Sequence, residues 1–262
     1  MFDNLAMTLT VALLTTLLSL GLIARKSTAQ EPAAPKTSPK KTSTKAVYEP
    51  TDDYAPVRIE GWTVLVNKKF RAREPELADR TLALMRRQLG QIVNRLPAAA
   101  VKKLRTIRIW IEENEPHTPC MTYHPDPEWL RANDMNPEKA RCVELSNARN
   151  FLKWTHEQPW MVLHELSHGY HHQILPGGFN NAEISAAYAK AMKSKRYDSV
   201  LRYNGKKERA YAATNCMEYF AEASEAYFGI NDFYPVNRAD LKHHDPEVCA
   251  LLGRLWGDKS PE

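Results

Sequence analysis

"WMVLHELSHGYHHQ", Trp160 to Gln173, decides how the rest of the chain is read, because it holds four of the nine histidines. His164 and His168 stand four residues apart, Glu165 follows the first of them, and apolar Val162, Leu163 and Leu166 surround the three. Pro159 suits an opening helical turn, where its missing N–H would have no partner anyway. Pro176-Gly177-Gly178 stops the pattern, so the spacing predicts a helix from about Pro159 to Leu175. Residues four apart on a helix project from one face about one turn apart. That brings both imidazoles within reach of one zinc ion at about 2.0–2.1 Å. Glu165 is angled off that line, where a carboxylate reaches a water on the metal without binding the metal. H-E-x-x-H is the zinc metalloprotease pattern, with the glutamate as general base. The competing reading is a solvated histidine-rich helix.

Zinc needs a third protein ligand and leaves a fourth position for water. His171 and His172 are seven and eight residues from His164, two turns away, so a straight helix cannot bring them to the same ion; packing or the outer wall of the site suits them better. Position 171 is His and position 174 is Ile, so the longer pattern that adds a Gly and a third His also fails. The best source of a third ligand is "YAATNCMEYFAEASEAYFG", Tyr211 to Gly229, where Glu218, Glu222 and Glu225 recur at helical steps among apolar residues. Glu218 and Glu222 share a face. One would ligate zinc and the other would accept a hydrogen bond from the far nitrogen of a zinc histidine. Exposed carboxylates on an amphipathic helix are the plainer alternative.

The run Tyr211-x-x-Thr214-Asn215-x-x-Glu218-Tyr219-Phe220-Ala221-Glu222-Ala223 resembles the active-site helix of the zinc metallopeptidases related to anthrax lethal factor. The resemblance covers residues 159–175 and 211–229. It implies a zincin-like domain with one zinc ion held by His164, His168 and Glu218. It further implies Glu165 as general base, Tyr211 as a phenol donating to the oxyanion, and Glu222 as the carboxylate behind a zinc histidine. The implied activity is hydrolysis of peptide bonds. A zinc-binding domain without turnover, or a hydrolase of another amide such as a cell-wall cross-link, remains open.

Working outward, the 262 residues are 43% hydrophobic and 26% charged, which is ordinary for a globular protein. The net charge of +5 is spread along the chain, and no basic stretch interleaves with aromatics, so nucleic-acid binding is not expected. Leu5 to Ala24 is an uncharged apolar run followed by Arg25, Lys26 and Ser27-Thr28-Ala29. Residues 1–29 thus read as a signal peptide or membrane anchor, which points to a secreted or membrane-tethered protein. Residues 30–56, rich in Pro, Lys and Thr, read as a disordered linker, and 57–262 as one catalytic domain, expected to be a monomer acting on a peptide or protein. Membrane contact is expected through the N-terminal segment alone.

Four cysteines allow three disulfide pairings, of which Cys120–Cys142 with Cys216–Cys249 is the most local. Strands are expected at Trp62–Val66, across "TIRIWIEE" and at Arg141–Ser146, with a helix from Pro75 to Leu96. Val143–Ser146 is the candidate edge strand above the metal. Tyr123 and His124 fall in a proline-flanked loop that could line the cleft, and His243 and His244 read as solvated. From Pro159 onward the pattern is helical almost to the end. Strands first and helices later give an α+β class: a small mixed sheet packed on helices, with a mostly helical C-terminal part.

Overall fold

The computed structural model describes residues 48–258. The signal or anchor assignment for 1–29, and most of the linker, lie outside the described residues. Among those described, no helix is long and apolar enough to cross a membrane. The class is α+β, with ten α-helices and a five-stranded mixed sheet among the described residues.

β1 (Tyr54–Ile59) begins three residues before the expected boundary at Val57, because Tyr54 and Ala55 pair with Asn67 and Val66. It turns through Glu60 and Gly61, at φ 49° and 89°, into β2 (Trp62–Asn67). Two positive-φ residues are what a two-residue hairpin turn needs. Three helices follow: α1 (Lys68–Arg73), α2 (Pro75–Arg95) and α3 (Ala98–Leu104). α2 matches the helix expected from its apolar spacing, and it buries Leu82, Met85, Leu89 and Ile92. β3 (Ile109–Ile111) returns parallel to β2 and is buried on both faces, as parallel strands commonly are.

β4 (Met121–Tyr123), α4 (Pro127–Ala132), β5 (Val143–Leu145) and α5 (Ala148–Trp154) complete the first half. The sheet order is β1-β2-β3-β5-β4. This corrects the edge-strand expectation: β5 lies between β3 and β4, and the edge strands are β4 and, at the far side, β1. Flanking prolines favour a loop at β4, but Met121 to Tyr123 between them keep every N–H and pair antiparallel with β5.

Helix α6 (Met161–Gln173) starts after Trp160, so Pro159 precedes the helix instead of opening it. It lies against the sheet, and Gly169 lets it. A Cβ there would come 2.6 Å from Ile107 and 3.2 Å from Tyr123. α7 (Ala182–Lys193) follows, and then a hairpin of β6 (Val200–Leu201) and β7 (Lys207–Glu208), which interrupts the helical run expected for this half. α8 (Cys216–Phe228) packs antiparallel to α6, ahead of α9 (Arg238–His244) and α10 (Pro246–Trp256). At its end Gly229 meets the Trp160 indole so closely that a Cβ would come within 2.0 Å. α10 wedges beneath both helices. Trp256 stacks on Tyr170 at 4.0 Å and donates through Nε1 to Ser224 Oγ at 3.1 Å.

The suggested disulfides do not form. Cys120 belongs to the main core and Cys142 to a small cluster with Tyr54, Leu65 and Trp110 on the outer face of the sheet, so the sheet separates the two thiols. Cys216 is likewise a free thiol.

Candidate metal centre

The site is built where α6 and α8 face each other. α8 opens on Asn215, whose Oδ1 accepts from the amides of Met217 and Glu218, each at 2.9 Å. This cap fixes the first turn of α8 and so aims Glu218 at α6. Glu218 Oε2 lies 3.0 Å from His164 Nε2 and 3.3 Å from His168 Nε2. Two ligand atoms at about 2.0–2.1 Å from one tetrahedral ion are about 3.3 Å apart. Those two separations match that spacing, and all three donor atoms lie within 4.8 Å of one another, a group that could hold a metal ion. The structure brings together His164, His168 and Glu218 as the sequence anticipated.

The surroundings favour positive charge. Burial pushes the Glu218 carboxyl up, but the two imidazoles bonded to it outweigh that effect and hold it far below the usual carboxylate range. Burial lowers His164, yet Glu218 and Glu225 more than compensate and keep its imidazole cationic well above its ordinary range. Behind it, Glu222, Glu225 and Asp232 are all buried, and burial pushes all three carboxyls up. Arg202 of the β6–β7 hairpin is bonded to Asp232 at 3.2 Å. Two imidazoles and a carboxylate are the ligand types a divalent zinc ion takes, so the donor set fits such a metal in its chemistry.

The carboxylate behind the histidine is Glu225, a correction to the expectation for Glu222. His164 Nδ1 lies 2.7 Å from Glu225 Oε1 but 3.7 Å from Glu222 Oε1. Glu222 is instead turned to Asn231, whose Nδ2 donates to it at 3.1 Å. Glu225 sits seven residues after Glu218, two turns along the same stripe. The periodicity placed it on the right face but could not rank it above Glu222 without the crossing of α6 and α8.

Glu165 is half-buried, and its Oε2 accepts from the backbone N–H of Tyr123 at 2.8 Å. His124 N–H bonds to Cys142 O, and Ser146 N–H to Cys120 O. Even-numbered residues of β4 therefore turn their backbone groups toward β5, and Met121 and Tyr123 turn theirs to the open edge. Glu165 is thus held by an edge-strand amide, a contact no side-chain pattern announces. Tyr123 also reaches His172 Nδ1 at 2.9 Å through its hydroxyl, which ties His172 to the same strand.

Tyr211 opens a short 3-10 turn ahead of α8, is 47% exposed, and lies with its ring centroid 6.2 Å from that of His164. Burial of part of the ring, with the Glu218 charge, pushes its phenol up to about 12, so it is a proton donor at neutral pH. His171 is fully buried between Phe179 and Phe220, and neither ring nitrogen has a hydrogen-bond partner among the described residues. His243 is exposed and His244 half-buried against Tyr197 and Tyr234, away from the donor set.

Comparison with protein-family models, curated proteins and solved structures finds no match to this chain. The functional reading therefore rests on the residues and their geometry.

Proposed function

We propose that the chain is a zinc-dependent metallopeptidase. The observation that carries this is the approach of Glu218 Oε2 to both His164 Nε2 and His168 Nε2, with Glu165 one residue from the first histidine and tied to an open edge strand. His164, His168 and Glu218 would hold the ion. A bound zinc ion would supply Lewis acidity, polarising the scissile carbonyl and the attacking water.

The chain's own residues do the rest. An extended peptide adds to the open edge of β4, where the outward backbone groups of Met121 pair with it. The scissile bond then lies beside Glu165. Glu165 takes the proton from the attacking water and delivers it to the leaving amine. Tyr211 donates its hydroxyl to the oxygen on which charge develops, a type of contact worth about 2.7–4 kcal/mol in other hydrolases. Glu225 fixes the tautomer and orientation of His164.

The test compares zinc content and hydrolysis of a quenched peptide pool for the full chain, Glu218→Gln and Glu165→Gln. The reading expects one zinc per wild-type chain, weakened binding in Glu218→Gln, and retained zinc with turnover lost in Glu165→Gln. Zinc without turnover of peptides in the wild type would favour a binding domain or a hydrolase of another amide. No zinc after reconstitution would leave only a histidine-rich helix.

A further inference from the structure

The outer face of the sheet carries a buried ionic network that the proposed chemistry does not use. Lys139 Nζ bonds Glu112 Oε1 at 2.7 Å and is also paired with Glu144. Glu144 Oε2 accepts from His124 Nε2 at 2.6 Å. Glu112 is completed by Tyr54 and by Asn67 Nδ2 at 2.9 Å. Lys139, Glu144 and His124 are each no more than 3% exposed. Trp129 stacks over the His124 ring at 6.0 Å.

Buried ion networks are a costly way to stabilise a sheet, since well-packed apolar side chains of similar volume do as well or better. Their advantage is directional. This network ends at the residue next to Tyr123, whose amide holds Glu165. β4 is three residues long and pairs on one side only, so it has few bonds to fix its end. His124 supplies them. Its side chain reaches Glu144, its N–H donates to Cys142 O at 3.0 Å, and its carbonyl accepts from Arg141 N–H at 2.6 Å.

We propose that His124, anchored through Glu144 and Lys139, is a positioning residue that holds the open end of β4 so that the Tyr123 amide aims Glu165. The proposal rests on the peptidase reading given above. His124 touches neither metal ligands nor substrate and acts through one peptide unit. Displacing that unit leaves the base without its donor, while the ligands on α6 and α8 stay in place.

The experiment uses the full chain with two polar substitutions that spare the fold. In His124→Asn the amide is too short to reach Glu144; in His124→Gln it has about the reach of the imidazole Nε2. Zinc affinity is measured by chelator competition, kcat and KM on a quenched peptide pool, and hydrogen exchange at the Tyr123 amide by NMR. The expected result for His124→Asn is about tenfold faster exchange at Tyr123 and a kcat lower by about tenfold. Its KM and zinc affinity stay within about twofold of wild type, and His124→Gln restores both exchange and kcat. Faster exchange with unchanged kcat would show a purely structural network and overturn the proposal. A parallel loss of zinc affinity, or a Gln variant as poor as Asn, would overturn it too. A zinc-loaded wild type that cleaves none of the pool would instead sink the peptidase reading, and with it any catalytic role for His124. The exchange rates would still report whether His124 fixes the Tyr123 amide.

Discussion

Removing the carboxylate behind His164 is the perturbation that separates the observed site from the one inferred by resemblance. His164 Nδ1–H donates to Glu225 at 2.7 Å, whereas Glu222 lies at 3.7 Å, beyond hydrogen-bond reach. Hydrogen bonds with one ionised partner contribute about 1.5–3 kcal/mol, against about 0.5–1.5 for neutral pairs. Glu225→Gln keeps an acceptor oxygen but loses the charge, a difference of about 1–1.5 kcal/mol, or about tenfold in zinc affinity. Glu225→Ala loses the acceptor as well and leaves the ring unoriented. Its expected cost is about 100-fold, the upper end for such outer partners. Glu222→Gln keeps a partner for Asn231 and removes nothing His164 bonds to, so about threefold or less is expected. Zinc affinity by competition with a chromophoric chelator reads all three, and circular dichroism checks that each variant folds. A Glu222→Gln loss as large as that of Glu225→Gln would refute the assignment and the distance argument behind it.

Gly229→Ala forces a methyl into the Trp160 indole, separating the end of α8 from the start of α6. A destabilisation of about 1–3 kcal/mol in urea unfolding is expected, and an unchanged midpoint would show that this approach is looser than described. Lys139→Met leaves Glu112 and Glu144 buried without their cation, at a cost of about 3–5 kcal/mol on the same assay.

The pH dependence of wild-type stability follows from the same network. Burial pushes the Glu144 carboxyl up, but His124 and Lys139 outweigh it and hold it below its ordinary 4.5. Burial lowers Lys139, but Glu144 and Glu112 outweigh it and hold its ammonium above its ordinary 10.5. The Glu144 contribution is complete above 4.5 and fades as pH falls below it, while that of Lys139 is complete below 10.5 and fades as pH climbs past it. Unfolding midpoints of the wild type that keep rising above pH 11 would contradict the Lys139 part. His171→Leu replaces two unpartnered buried nitrogens with an apolar side chain of similar size, and should raise stability by about 1 kcal/mol. A fall in the melting temperature would mean that His171 has a polar partner in solution.

Much of the site was legible in the sequence because helical periodicity converts spacing directly into direction. His164 and His168 share a face because they are four apart, and Glu218, Glu222 and Glu225 form a stripe for the same reason. The α+β class, the helix over Pro75–Arg95 and the strand from Trp62 followed from patterns of three to four and of two residues. Short elements were the weak point. β4 has three residues, too few for a periodic pattern, so its sequence reads as a loop. The cysteine pairing failed because sequence separation says nothing about which face of a sheet a thiol occupies.

What the sequence determined by itself is therefore local: which residue types stand on which side of a helix. What only the tertiary structure decided is how two such faces meet. The antiparallel contact of α6 and α8 puts Glu225, and not Glu222, against His164. The sheet order makes β4 an open edge, so the backbone amide of Tyr123 is free to hold Glu165. Both depend on contacts between segments about forty to sixty residues apart, set by close packing at Gly169 and Gly229, and local periodicity carries no information about them.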